Sequence, residues 1–261
     1  MSNIIEINNL NYLNIFDYLS MNVEKNSFLT ISGPNNCGKT TLLKILNRKI
    51  KTSESISILD KNLNERKIDE HTKIVQMIIP KEIIFLEKTL EEELYFLAEG
   101  TDKEKIEYIN FLASNLKIKS LLSKNVKSLT SKELVEAQII ISLINNPEIL
   151  LIDNIDYYFT KKELDNIFNF FNIYREKYGL TLIITTMNLE LSLYTDYLYI
   201  INEGKVALEG KPIDILQKDN IINKIGLTLP FMIDLSVKLR DYDLIDEIET
   251  DLDRMIDVLW N

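Results

Sequence analysis

Residues 33–40, Gly-Pro-Asn-Asn-Cys-Gly-Lys-Thr, constrain the fold of this chain more tightly than any other stretch. They follow an apolar run, Phe28 to Ser32, that reads as a strand, and they precede Leu42, Leu43, Ile45 and Leu46, which recur at helical spacing. A glycine-opened loop ending in Gly-Lys-Thr, set between a strand and a helix, is the P-loop pattern G-x-x-x-x-G-K-[ST]. The physics needs these residue types. Glycines let the backbone wrap phosphates, amides at the helix N-terminus donate to them, and Lys39 reaches the β- and γ-phosphates. Thr40 is placed to bind Mg2+ through its hydroxyl. Gly33, Pro34, Asn35, Asn36, Cys37, Gly38, Lys39, Thr40 and Thr41 are therefore the expected ATP-binding segment, with Cys37 acting through its main chain.

A Mg-nucleotide site also needs a carboxylate on a neighbouring strand, and "NPEILLIDN", residues 146–154, offers one. Pro147 stops a helix, Ile149 to Ile152 read as a buried parallel strand, and Asp153 emerges at its carboxyl end in the Walker B position. Asp153 joins Thr40 as the expected metal-binding pair. The next residue, Asn154, is an amide where a hydrolase needs a carboxylate.

The rest of the composition narrows the function by exclusion. A net charge of −10 repels a phosphate backbone, so nucleic acid is not an expected partner. The single cysteine, Cys37, cannot pair within the chain and has no metal-ligating neighbours, which fits a reducing compartment. No apolar run reaches the roughly 18 residues that a membrane span needs. The start, "MSNIIEINNL", lacks the basic flank and apolar centre of a signal peptide, so a cytosolic protein is expected. His71, the only histidine, lies in the charged stretch "RKIDEHTK" and reads as a solvated side chain.

Between the two halves of the site, residues 88–146 look helical, and "SLTSKELVEAQIIISLINNPEILLID" opens with a capping box at Thr130 or Ser131 before running into the Asp153 strand. In order and spacing the chain resembles the ATP-binding subunits of ABC transporters over residues 4–217, with Gly179 to Pro212 resembling the switch strand, its following helix and a closing hairpin. The tail, with Gly226 and Pro230 as punctuation and amphipathic spacing after them, resembles the C-terminal extension of the energy-coupling factor (ECF) transporter ATPases. The resemblance implies an α/β, P-loop ABC-type nucleotide-binding domain over residues 1–218, with a mixed sheet and helical insertion. A small helical extension, a candidate dimerisation element, occupies residues 219–261. It also implies ATP and Mg2+ as cofactors, a second ABC ATPase subunit and an integral membrane transporter subunit as partners, and a place on the inner face of the cell membrane. Tyr12 resembles the aromatic residue that stacks on adenine in this family, although the short loop at Leu13 and Asn14 allows an ordinary core tyrosine equally well.

The chain departs from that family where catalysis is done. The signature that grips a partner's ATP, L-S-G-G-Q, reads Leu129-Thr130-Ser131-Lys132-Glu133, with both glycines absent and a negative charge added that Lys132 is positioned to offset. Ile79 stands at the position of the magnesium-coordinating glutamine, and Gln76, three residues early, points to the other strand face. Asn154 replaces the catalytic glutamate and cannot accept a proton at neutral pH. Met187 replaces the switch histidine, and Tyr157-Tyr158-Phe159-Thr160 replaces the loop that normally ends in Asp. Asp156 is near Asn154, but the family geometry turns that position toward a dimer interface. No catalytic residue is assigned. The expectation is an ECF-type subunit that binds Mg-ATP, hydrolyses it weakly or not at all, and acts with a partner ATPase in vitamin or metal-ion uptake. The rival readings are a nucleotide-dependent scaffold or pseudoenzyme, and a soluble ABC-type ATPase outside transport. The apolar stretch "IIPKEIIFLEKTL", residues 78–90, fits either an interaction groove or a buried strand continuation.

Overall fold

Runs dominated by apolar and β-branched residues have no solvent face, so they must lie between two layers. The computed structural model, which describes residues 2–52, 56–80 and 82–260, places three such runs at the centre of the molecule. They are the strands Phe28–Ser32, Ile149–Asp153 and Thr181–Thr186, each buried at every position.

In chain order the strands are β1 (Asn3–Tyr12), β2 (Phe16–Glu24), β3 (Phe28–Ser32), β4 (Ile56–Ile58), β5 (Lys61–Asn62), β6 (Val75–Ile78), β7 (Ile149–Asp153), β8 (Thr181–Thr186), β9 (Tyr197–Asn202) and β10 (Lys205–Gly210). The helices are α1 (Lys39–Leu46), α2 (Ile68–Ile74), α3 (Leu90–Leu97), α4 (Asp102–Asn115), α5 (Lys119–Leu122), α6 (Ser131–Leu143), α7 (Lys161–Tyr178), α8 (Pro212–Leu216), α9 (Asp219–Ile225), α10 (Phe231–Asp241) and α11 (Leu252–Trp260). One sheet has the order β10-β9-β3-β8-β7-β6 and a smaller one the order β2-β1-β4-β5. In the larger sheet β3, β6, β7, β8 and β9 run parallel and β10 returns antiparallel, so the sheet is mixed as expected.

The period-two alternation of strands divides the core. Phe28, Leu150, Ile152, Leu182 and Ile184 face a layer built on α3, α4, α6 and α7, where Phe28 meets Phe168 edge-on at 5.8 Å between centroids. Their neighbours Leu29, Ile31, Ile149, Leu151 and Ile183 face the opposite layer, formed by α1 and the antiparallel sheet. Register then assembles the site. Asp153 pairs with Thr185 and Ser32 with Thr186, so the carboxyl ends of three adjacent strands open on one rim.

The stretch between Lys88 and Asn146 is helical, and the expected capping box forms at Thr130, whose side chain and Glu133 satisfy each other across the first turn of α6. The same device starts α3 at Thr89 and Glu92 and α4 at Thr101 and Glu104. Beyond the closing hairpin, Ile215 and Leu216 of α8 share one apolar cluster with Ile222, Leu227, Leu229, Ile233 and Val237 and with Leu198 and Ile200 of β9. The last helix, α11, buries Met255 and leaves Ile256, Leu259 and Trp260 exposed. No helix among the described residues is long and apolar enough to cross a membrane.

Two sequence expectations change. His71 is not solvated: it is 1% exposed, because α2 turns its charged neighbours outward and its imidazole inward. Its Nε2 lies 2.9 Å from the Leu46 carbonyl oxygen, which can only accept, so Nε2 carries the proton; burial pushes the His71 pKa down. The apolar stretch 78–90 is not a strand continuation either. After Ile78 the chain leaves the sheet, with Ile84 88% and Leu86 69% exposed; Lys81 lies outside the described residues.

Candidate nucleotide-binding site

The loop that leaves β3 is shaped by close approach. A Cβ on Gly33, whose φ is +153°, would come within 2.2 Å of the Ile201 carbonyl oxygen and 2.7 Å of Cys37 Sγ, so no side chain fits there. Gly38 has φ +103° and is pressed against Ile15 and Phe16, where a Cβ would meet Ile15 Cγ2 at 2.6 Å. The loop closes directly onto α1, and Lys39 is only 7% exposed. Its ammonium donates to the carbonyl oxygens of Gly33 at 2.7 Å and Pro34 at 2.9 Å, and lies 3.7 Å from Cys37 Sγ. A compact cation is thereby held inside a ring of backbone, the arrangement that a phosphate chain needs.

Asp153, 5% exposed, is gripped from three sides. Thr40 Oγ1 donates to it at 2.8 Å, Thr185 Oγ1 at 2.6 Å and Asn154 Nδ2 at 3.0 Å. The hydroxyl and carboxylate expected to hold Mg2+ are thus already in contact, and these residues fit a Mg-nucleotide. When bound, the ion would be held by Thr40 and Asp153 and would neutralise charge between the β- and γ-phosphates. Thr185 did not stand out in the sequence. Its one signal is a hydroxyl in a fully buried run, and its partner follows only from the β7–β8 register.

A cavity of about 530 Å3 opens over the loop, lined by Ile15, Asn35, Asn36, Gly38, Lys39, Thr40, Thr41, Asn154 and Tyr157. Gly33, Pro34 and Cys37, also expected in the ATP-binding segment, are not part of this lining. Tyr12 ends β1 and packs on the core, so Ile15 lines the wall near it instead. Tyr157 went unassigned in the sequence because its direction depends on the turn after Asn154, which sits at the left-handed φ of 46° that asparagine tolerates.

The other degenerate positions lie off the cavity. Ile79 is 7% exposed, and its carbonyl accepts from Gln138 Nε2 at 2.9 Å. Gln76 turns its amide to the Thr72 carbonyl. Met187 packs against the cluster of β9 and α8 to α10. Asp156 opens onto a separate cavity of about 160 Å3 shared with Lys161, Asp165 and Glu190, and burial raises its pKa.

At the start of α6, Glu133 Oε2 accepts from the Thr130 amide at 2.9 Å and the Thr130 hydroxyl at 3.1 Å, while Lys124 donates to Oε1 at 2.5 Å. Lys132 does not offset this charge. It is held by Glu163 and lies 3.7 Å from Glu136, bridging α6 to α7. Lys124 and the Thr130 amide hold the Glu133 pKa down at about 2; Lys132 and the Thr160 amide do the same for Glu163. Both values lie below the ordinary 4.5, so these contacts stabilise the fold fully above pH 4.5 and lose their effect as pH falls toward about 2. The urea midpoints of wild type and Glu133→Gln are expected to differ at pH 6 and converge below pH 3. A gap independent of pH would overturn the assignment.

The profile of the ABC transporter family matches residues 16–156, over half of the chain. Among curated proteins, the energy-coupling factor transporter ATP-binding protein EcfA1 of Mycoplasmopsis pulmonis is 28% identical over 232 residues, covering 87% of this chain and 88% of the relative. EcfA of Pediococcus pentosaceus is 23% identical and covers 97% and 95%. Among solved structures, CbiO1 of Clostridium perfringens, part of an ABC transporter complex, superposes with a TM-score of 0.75 at 21% identity, covering 88% of this chain and 97% of that one. A dimeric ATP-binding cassette in a post-hydrolysis state, bound to ADP and Pi, superposes with a TM-score of 0.70 at 19% identity, covering 80% and 98%. Strand order, loop geometry and the profile match agree: this chain belongs to the ABC transporter family and carries its nucleotide-binding cassette.

Proposed function

We propose that the chain is the ATP-binding subunit of an ECF-type ABC transporter, that it binds Mg-ATP through residues 33–41 and Asp153, and that it hydrolyses ATP very slowly. One observation carries the reading: the binding half of the site is in place, with Lys39 seated in its backbone ring and Thr40 on Asp153, while the hydrolytic half is not. Asn154 spends its amide on Asp153 and presents no group that accepts a proton from water. In this reading a second ATPase does the chemistry, an integral membrane subunit anchors the pair on the inner face of the membrane, and the cargo is a vitamin or metal ion. The extension, residues 219–261, contributes to pairing through the exposed face of α11. The relatives named for energy-coupling transport, which match along nearly their whole lengths, support this over a cassette used elsewhere.

Titration of the purified chain with ATP and Mg2+, together with phosphate release, tests the first claim. Saturable binding with turnover near background is expected; several turnovers per second from the isolated chain would refute it. Affinity purification from solubilised membranes tests the second, with a second ATPase and an integral membrane protein expected to co-purify. Recovery alone would favour a nucleotide-dependent scaffold, a reading that the closed N-terminus of α6 also favours.

A further inference from the structure

The nucleotide cavity has two unlike ends. At one, the aliphatic side chain of Ile15 packs beside Gly38 and offers a surface for a base or ribose. At the other, Asn154 donates to Asp153, and Tyr157, three residues further along the same turn, joins the lining. Thr40 and Asp153 would hold Mg2+, which would place the terminal phosphate at their side of the lining and away from Ile15. Tyr157 is the single aromatic residue of the lining, sits on the short 3-10 helix Asp156–Tyr158, and is 73% exposed. Its phenol is a donor whose hydrogen has no partner among the described residues. Asn154, the other polar group at this end, is occupied by Asp153.

We propose that the Tyr157 hydroxyl donates to the terminal phosphate of ATP bound in its own chain, so that Tyr157 makes this site select ATP over ADP. The proposal rests on the ATP-binding reading above. It gives a chain whose α6 N-terminus is closed to a partner's phosphate an intramolecular means of sensing the γ-phosphate. Stacking of Tyr157 on adenine is disfavoured, because Tyr157 follows the Asp153 strand end along the chain, whereas Ile15 closes the Gly38 side of the cavity.

The test is calorimetric titration of the full chain with MgATP and MgADP, using wild type, Tyr157→Phe and Tyr157→Ala. A hydrogen bond to a charged group at an exposed site predicts that Tyr157→Phe weakens ATP binding about tenfold while ADP binding is unchanged, and that Tyr157→Ala does no more to the ratio. Equal losses for both nucleotides, or no change in either, overturn the proposal and leave the ATP-binding reading standing. A wild type that binds neither nucleotide defeats both. Because the ring is mostly exposed, all proteins should share one thermal midpoint, which separates lost contact from lost fold.

Discussion

Lys39→Ala is expected to weaken ATP binding by about a hundredfold or more while leaving the chain folded. The Lys39 ammonium is buried within the loop and held by the Gly33 and Pro34 carbonyls, so it is oriented before any ligand arrives. Each charge-assisted hydrogen bond contributes about 1.5–3 kcal/mol, and a hundredfold change corresponds to about 2.7 kcal/mol, so loss of one such contact to each of two phosphates exceeds the threshold. The loop also loses the cation that cross-braces its two carbonyls, which removes part of its preorganisation. Lys39→Arg should not rescue binding, since a planar fork is too wide for a ring already in contact with Cys37 Sγ at 3.7 Å. Calorimetric titration with MgATP measures the effect, and a retained single cooperative urea transition certifies the fold. An affinity within threefold of wild type would remove the phosphate-binding role from this loop.

What the sequence disclosed follows from how local each signal is. Phe28–Ser32 and Ile149–Asp153 are predominantly apolar runs beside motif residues, and both are strands over the expected spans. Thr130 and Glu133 form a capping box because the device is complete within four consecutive residues. What stayed hidden needed knowledge of neighbours. Thr185 reaches Asp153 only because β7 and β8 pair in that register. Ile15, not Tyr12, lines the cavity; it lies in the turn between β1 and β2, where no periodicity indicates direction, and the hairpin's register shifts near Leu10 and Tyr12 are equally silent in the sequence. His71 is surrounded by charges along the chain yet buried in space, since a helix separates sequence neighbours by about 100°. Lys132 was read against its neighbour Glu133, whereas its partners lie one turn on and across on α7.

Restoring a carboxylate at position 154 is expected not to restore turnover, and the reason lies at the far end of α6. In Asn154→Glu/Met187→His, the new glutamate meets Asp153, to which the native amide donates at 3.0 Å; two carboxylates repel, so the side chain swings into the cavity. There it can act as a general base, an effect of about 10²- to 10⁴-fold where the rest of the site is competent. Competence in the isolated chain, paired with a second copy of itself, requires amides of the facing copy's α6 to meet the developing charge on phosphate. Those amides face Glu133, whose carboxylate accepts from Thr130 and is fixed by Lys124, so an incoming phosphate meets like charge in place of donors. The double variant should therefore stay within about tenfold of background. Adding Ser131→Gly, Lys132→Gly and Glu133→Gln opens the helix end, removes the charge and should raise phosphate release by about a hundredfold more. A double variant that alone reaches several turnovers per second would show that Glu133 does not close the site. An opened variant that binds ATP normally yet remains at background would show that the defect lies in neither the base nor the lid, and would point instead to the positions of Ile79 and the Tyr157–Thr160 loop.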